Sequence, residues 1–140
     1  MLTAILGLLL SSCTSVTVKP VAGEHRIKEV VIQENAAVAV SDFLDVLVAG
    51  FQRHGIKARI ISESTDPGTG YVVKYVAYRH WDFKPYLTSA DIYIQKDGVR
   101  IAHANYHLRN NGGLSFKKWQ ATETKIDPVI DQLLANVNQR

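Results

Sequence analysis

The run "YVVKYVAYRHWDF" (71–83), followed by "SADIYIQ" (89–95), "KDG" (96–98) and "VRIAHANYHL" (99–108), decides the fold class. Through all three longer runs one set of positions is small or apolar and the other is polar or aromatic. Successive strand side chains point to opposite faces of a sheet. Val73, Tyr75, Ala77, Ala90, Ile92, Ile94, Ala102, Ala104 and Tyr106 therefore make a core face. Lys74, Val76, Tyr78, His80, Tyr93, His103, Asn105 and His107 fall on the other. Asp97-Gly98 between two alternating runs predicts a hairpin, because a tight primed turn needs positive φ at both central residues. Three strands in succession exclude a regular βαβ repeat and point to an α+β domain.

The flanks complete the map. "HRIKEVVIQEN" (25–35) is β-branched and reads as a strand. In "SDFLDVLVAGFQRHG" (41–55), Ser41 is a preferred N-cap, and Phe43, Leu44, Leu47 and Phe51 recur at helical spacing. Gly55 suits the left-handed position after a helix, so a helix is expected over 42–53. "IKARIISES" (56–64) is a further strand, "TDPGTG" (65–70) a turn and "RNNGG" (109–113) a loop. Ile126, Val129, Ile130, Leu133, Leu134 and Val137 form an apolar stripe. With Asp127-Pro128 near its start, this predicts a second helix over 125–137. The expected order is β-α-β-β-β-β-α. It makes a single, mainly antiparallel sheet of about five strands, with two amphipathic helices on one face and the other face open.

Hydrophobic residues make up 46% of the 140 and charged residues 21%, which suits one globular domain with a core of its own. The net charge is +3 and the pI about 9.0, but the basic residues are dispersed and the longest basic run is Lys117-Lys118. Nucleic-acid binding calls for a basic stripe or patch, and the linear sequence shows none. The mild excess favours anionic partners such as lipid headgroups or glycans. The single cysteine, Cys13, excludes an intrachain disulfide and a cysteine-based zinc site.

Cys13 follows the apolar run Leu2–Leu10, which is far short of the ~20 residues that span a bilayer and fits the core of a signal peptide. The string Leu10-Ser11-Ser12-Cys13 resembles the lipobox of bacterial lipoproteins. That resemblance implies cleavage before Cys13 and attachment of a diacylglycerol to its thiol. The buried methylenes of two or three chains hold a protein to a membrane, at ~0.8 kcal/mol each. The organisation expected is a signal peptide over 1–12, a lipidated tether over 13–24 and a periplasmic α+β domain over 25–140. Residues 1–12 hold no Lys or Arg, which departs from a signal peptide's basic start and points to a start further upstream. Thr14 stands where Asp would retain an enteric lipoprotein at the inner membrane. The pattern therefore implies the outer membrane, facing the periplasm.

From residue 71 onward, Tyr71 to Tyr75, Ala77, Trp81-Asp82, Tyr86, Ala90, Ala102, Ala104 and Tyr106, then "LSFKKW" (114–119) and "DPVIDQLL" (127–134), resemble a family of small Gram-negative lipoproteins of unassigned function. The likeness spans roughly 25–137 and transfers no catalytic motif. In topology the chain also resembles the α+β amino-terminal domain of TolB-like proteins.

Three groups of residues bear on chemistry. His103 and His107 have the i, i+4 spacing that binds zinc on a helix, but on a strand they stand ~13 Å apart, too far for one ion. No metal or cofactor is therefore expected. His80 and Asp82 share a strand face and could orient a general base in a small envelope enzyme, the alternative reading. Tyr78, His80, Tyr93, His103 and His107 make an aromatic and imidazole surface with few full charges, suited to a protein or glycan partner. The reading preferred on sequence is a membrane-anchored, non-catalytic binding or envelope-assembly module. A structural homo-oligomer is a further alternative, and the sequence does not fix the oligomeric state.

Overall fold

A computed structural model describes residues 14–138; the segment expected to be a signal peptide, 1–12, and Cys13 lie outside the described residues. The strands are β1 (Thr14–Lys19), β2 (Glu29–Gln33), β3 (Lys57–Ile61), β4 (Tyr71–Asp82), β5 (Lys84–Lys96) and β6 (Val99–Leu108). The helices are α1 (Phe43–Arg53) and α2 (Thr122–Leu133). The strands form one mixed sheet in the order β1-β6-β5-β4-β2-β3. The pairs β1–β6, β6–β5 and β5–β4 are antiparallel, while β2 runs parallel to both β4 and β3.

The fold is α+β, as the alternation requires, and the nine residues assigned to the core face of β4, β5 and β6 are all buried. The β5–β6 turn has φ of 51° at Asp97 and 81° at Gly98, the primed geometry expected there. Both helices pack on the core face. Phe43 of α1 lies 5.4 Å, ring to ring, from Tyr75. Gly50 lets the helices approach closely, since a Cβ there would stand 2.4 Å from Cδ1 of Ile130. At the exposed margin of the helix pair, Asp131 accepts from Arg53 and His54, each at 2.8 Å.

Two expectations are corrected. Segment 13–24 is expected to be an extended tether, yet Thr14–Lys19 is edge strand β1, and Val21 is fully buried with its N–H donated to the carbonyl of Leu133 at 3.0 Å. Val16 and Val18 alternate with Ser15, Thr17 and Lys19. This pattern matches β6, so the valines stand opposite Tyr106 and Ala104 and extend the core face by one strand. The sheet thus has six strands rather than about five. The second helix starts at Thr122, about one turn before the expected point, and Pro128 lies inside it. Burial of Thr122 and of the aliphatic stem of Lys125 carries the apolar stripe back by that turn. No helix among the described residues is long and apolar enough to cross a membrane.

Candidate functional site

The face opposite the helices is built as the period of two dictates. Tyr78 is exposed, Tyr93 and His103 are half-buried and His107 is exposed. Across the ladder Tyr93 stands opposite His103, and Ser89 opposite His107. The centre of this face is tied down. Asp91 Oδ1 is 2.9 Å from His103 Nε2 and accepts from the Asn105 side-chain amide at 3.0 Å. The Arg100 guanidinium lies 4.2 Å from the Tyr93 ring centre. His103 and His107 are both on β6, an extended strand, and among the described residues no three His, Cys, Asp or Glu side chains gather.

His80 falls away from this ladder. The β4–β5 pairing shifts between Tyr78 and Arg79, where Thr88 is the extra residue and donates to the Tyr78 carbonyl at 3.1 Å. Beyond that bulge His80 stands opposite Tyr86, with the rings 5.9 Å apart and edge-on. Nor does Asp82 pair with His80. Its carboxylate accepts from Lys118 Nζ at 2.5 Å, and its backbone carbonyl accepts from the Trp119 indole at 2.7 Å. The His–carboxylate dyad of the alternative reading is not formed; Asp82 instead serves the loop after β6.

That loop builds a feature the sequence reading did not isolate. Asn110, Asn111, Gly112 and Gly113 all have positive φ, which folds the chain back across the end of the β4–β5 hairpin. Gly112 is required there, because its φ is 82° and a Cβ would stand 2.5 Å from Cβ of Lys118. Phe116–Trp119 then makes one turn of 3₁₀ helix, entered through Ser115, whose hydroxyl accepts from the Lys117 N–H. Lys118 is buried and also donates to the Gly113 carbonyl at 2.9 Å, while the Tyr86 hydroxyl donates to the Asn111 carbonyl at 2.8 Å. With its backbone fixed in this way, the hairpin end presents large apolar side chains to solvent. Trp81 is 69% exposed, Phe83 91%, Phe116 83% and Leu114 fully exposed. Phe83 and Phe116 both lean on Trp119, at ring separations of 6.4 and 5.9 Å. Isolated exposed apolar residues need no explanation, but a cluster on a rigid support marks an interaction surface.

Beside this tip opens a cleft of about 340 Å³ between the segment before α1, the β4–β5 hairpin and the segment before α2. Arg79 and Lys84 line it, and their side chains form no hydrogen bond or ion pair among the described residues. Asp42 also lines it and accepts from the Thr122 hydroxyl at 2.9 Å. Behind Leu87 lies Lys125, buried and donating to the carbonyls of Leu87, at 3.0 Å, and Lys118. Burial lowers the Lys125 ammonium to about 8.

The register also fixes where the chain enters the domain. Thr14 stands opposite Leu108, one residue past the His107–Ser89 pair, and β5 runs from there back to Lys84. The start of β1 is thus at the end of the sheet that carries the tip.

No protein-family model matches the chain, and no curated protein matches it. Solved structures do. A PelC dodecamer from Paraburkholderia phytofirmans, in a single-substitution variant, superposes with a TM-score of 0.58 at 13% identity, covering 90% of this chain and 99% of that one. A second PelC dodecamer from the same organism gives a TM-score of 0.56 at 12% identity, covering 91% and 99%. At such identities the likeness is one of fold: this chain has the fold of a PelC subunit over nearly its whole described length.

Proposed function

We propose that the protein is a lipoprotein of the bacterial envelope, anchored through Cys13 to the outer membrane and facing the periplasm. Its domain acts there as a non-catalytic assembly module, with the apolar tip seated on the membrane. One observation carries this reading: Thr14, the residue bonded to Cys13, emerges at the same end of the sheet as Trp81, Phe83, Leu114 and Phe116. A lipid on Cys13 and an aromatic tip at that end engage one surface together. Aromatic side chains favour the headgroup level of a bilayer, and Lys84, Lys117 and Arg109 nearby suit anionic lipid. Resemblance to small Gram-negative lipoproteins through Leu10-Ser11-Ser12-Cys13 supports the anchor. The test is Cys13→Ser in cells. The variant should stay uncleaved or leave the membrane fraction, whereas processing and fractionation like the parent chain would remove the anchor from the reading.

A second reading, compatible with the first, is self-assembly. The PelC structures of the same fold are dodecamers. The outer edges of β1 and β3 have no strand beside them among the described residues, and each carries an exposed apolar side chain, Val16 or Ile60. Unpaired edges are templates for another chain. Light scattering should give a mass several times 15.6 kDa for the chain and a smaller one for Ile60→Lys. A monomer at all concentrations would discard self-assembly and leave the membrane reading standing.

A further inference from the structure

Two depressions meet beside the tip. One is the cleft of about 340 Å³ lined by Arg79, Lys84, Ser41 and Gln120; the other is a shallow, largely open apolar groove lined by Phe83, Lys84 and Trp119. Lys84 and Trp119 line both. A polar, cationic cleft that continues into an aromatic groove has the form of an amphiphile with an anionic head. We propose that the two together bind one anionic phospholipid, with its phosphodiester in the cleft and an acyl chain along the groove. This rests on the membrane reading above and names a single bound lipid within it.

The chemistry supports each half. Arg79 and Lys84 come from the two strands of one hairpin, and their side chains have no partner among the described residues, whereas Lys118 and Lys125 are each held by hydrogen bonds. Both residues line the cleft, and a phosphodiester suits such a lining, the guanidinium by its planar fork of donors. Ala121, at the N-cap of α2 and in the cleft lining, offers no side-chain acceptor to the first-turn amides. Asp42 is the one carboxylate in the lining, and the Thr122 hydroxyl occupies its Oδ1. In the groove, Phe83 stands edge-on to Trp119, leaving apolar faces for a hydrocarbon chain. A free phosphate would use the cleft and not the groove, which separates the two sources of the same chemistry.

The test is native mass spectrometry of the full chain in a non-ionic detergent, with palmitoyl-oleoyl phosphatidylglycerol, the matching phosphatidylcholine or inorganic phosphate added. The expected result is one phosphatidylglycerol per chain. Phosphatidylcholine, whose choline meets the same cations, and phosphate alone should bind at least tenfold more weakly. Arg79→Gln with Lys84→Gln should lower phosphatidylglycerol occupancy about tenfold or more, with an unfolding curve like that of the parent chain. Phosphate binding as strong as the lipid would overturn the lipid assignment in favour of a phosphate site. Phosphatidylglycerol adducts that are multiple, or unchanged in the double variant, would overturn the site altogether. If the parent chain keeps its single lipid but its tip does not hold it to vesicles, the membrane seat fails and the lipid site stands.

Discussion

Asp82→Asn should destabilise the protein more than Lys118→Met, although the two residues form one ion pair. The reason lies in where each charge sits. The Lys118 side chain is 9% exposed, whereas that of Asp82 is 44% exposed. Asparagine at 82 keeps the shape and one acceptor oxygen but removes the charge that balances the buried ammonium, whose other hydrogen-bonded oxygen is the Gly113 carbonyl, at 2.9 Å. Stranding a fully buried charge costs ~3–5 kcal/mol, and breaking an exposed pair costs ~1 kcal/mol or less. A pair with one dry end and one wet end falls between, at about 2 kcal/mol. Methionine at 118 instead removes the buried charge and keeps most of the packing volume. Asp82 is then free to be hydrated, so the loss should be about 1 kcal/mol. Urea unfolding of the parent chain, the two single variants and the double variant closes the cycle. The double variant should resemble Lys118→Met, since no charge remains stranded. Equal losses in the two single variants, or a larger loss for Lys118→Met, would refute the claim that desolvation of Lys118 governs the clamp beneath the tip.

Gly50→Ala should cost about 1–3 kcal/mol by overpacking buried Ile130, measured by the same unfolding curves. Lys125 gives a pH dependence: burial lowers its folded value from 10.5 to about 8, so between those limits the unfolded chain binds the proton that the folded one lacks, and stability rises with pH. From about pH 7 to about pH 9.5, the parent should gain roughly 1–2 kcal/mol relative to Lys125→Met; an unchanged difference would mean that the Leu87 and Lys118 carbonyls hold the ammonium at its ordinary value. Tyr78→Ala with Tyr93→Ala should lower the melting temperature by only a few degrees, because both rings lie on the face away from the helices. A loss of several kcal/mol would show that the open face contributes to the fold as a core does.

What could be read from the sequence was whatever repeats with a period. The alternation in β4, β5 and β6 gave the faces and the hairpin at Asp97-Gly98, and the stripe of Phe43, Leu47 and Phe51 gave α1. Features without a period stayed hidden. β1 is half polar and follows the apolar run Leu2–Leu10, so Val16 and Val18 read as part of a tether until β6 is beside them. The bulge at Thr88 moves His80 to a place opposite Tyr86 that a strict period of two does not anticipate. The tip and the cleft join residues from 79–87, 114–122 and the segment before α1, which only the left-handed turn at Asn110 to Gly113 brings together. One run of four positive-φ residues is written in "RNNGG", but what it folds against is not.

The most direct test of the membrane seat is vesicle flotation of residues 14–140, which carry no lipid anchor, against Phe83→Ser with Phe116→Ser. Each phenylalanine is exposed on a fixed backbone, so both substitutions should leave the unfolding curve nearly unchanged. Fully burying one such ring contributes ~1.5–3 kcal/mol. Realising half of that at the headgroup level makes the pair worth about 1.5–3 kcal/mol, roughly tenfold or more in partitioning onto vesicles that contain phosphatidylglycerol. The account requires that loss at unaltered stability. Equal flotation of the parent and the double-serine variant, or no flotation of either, would contradict it.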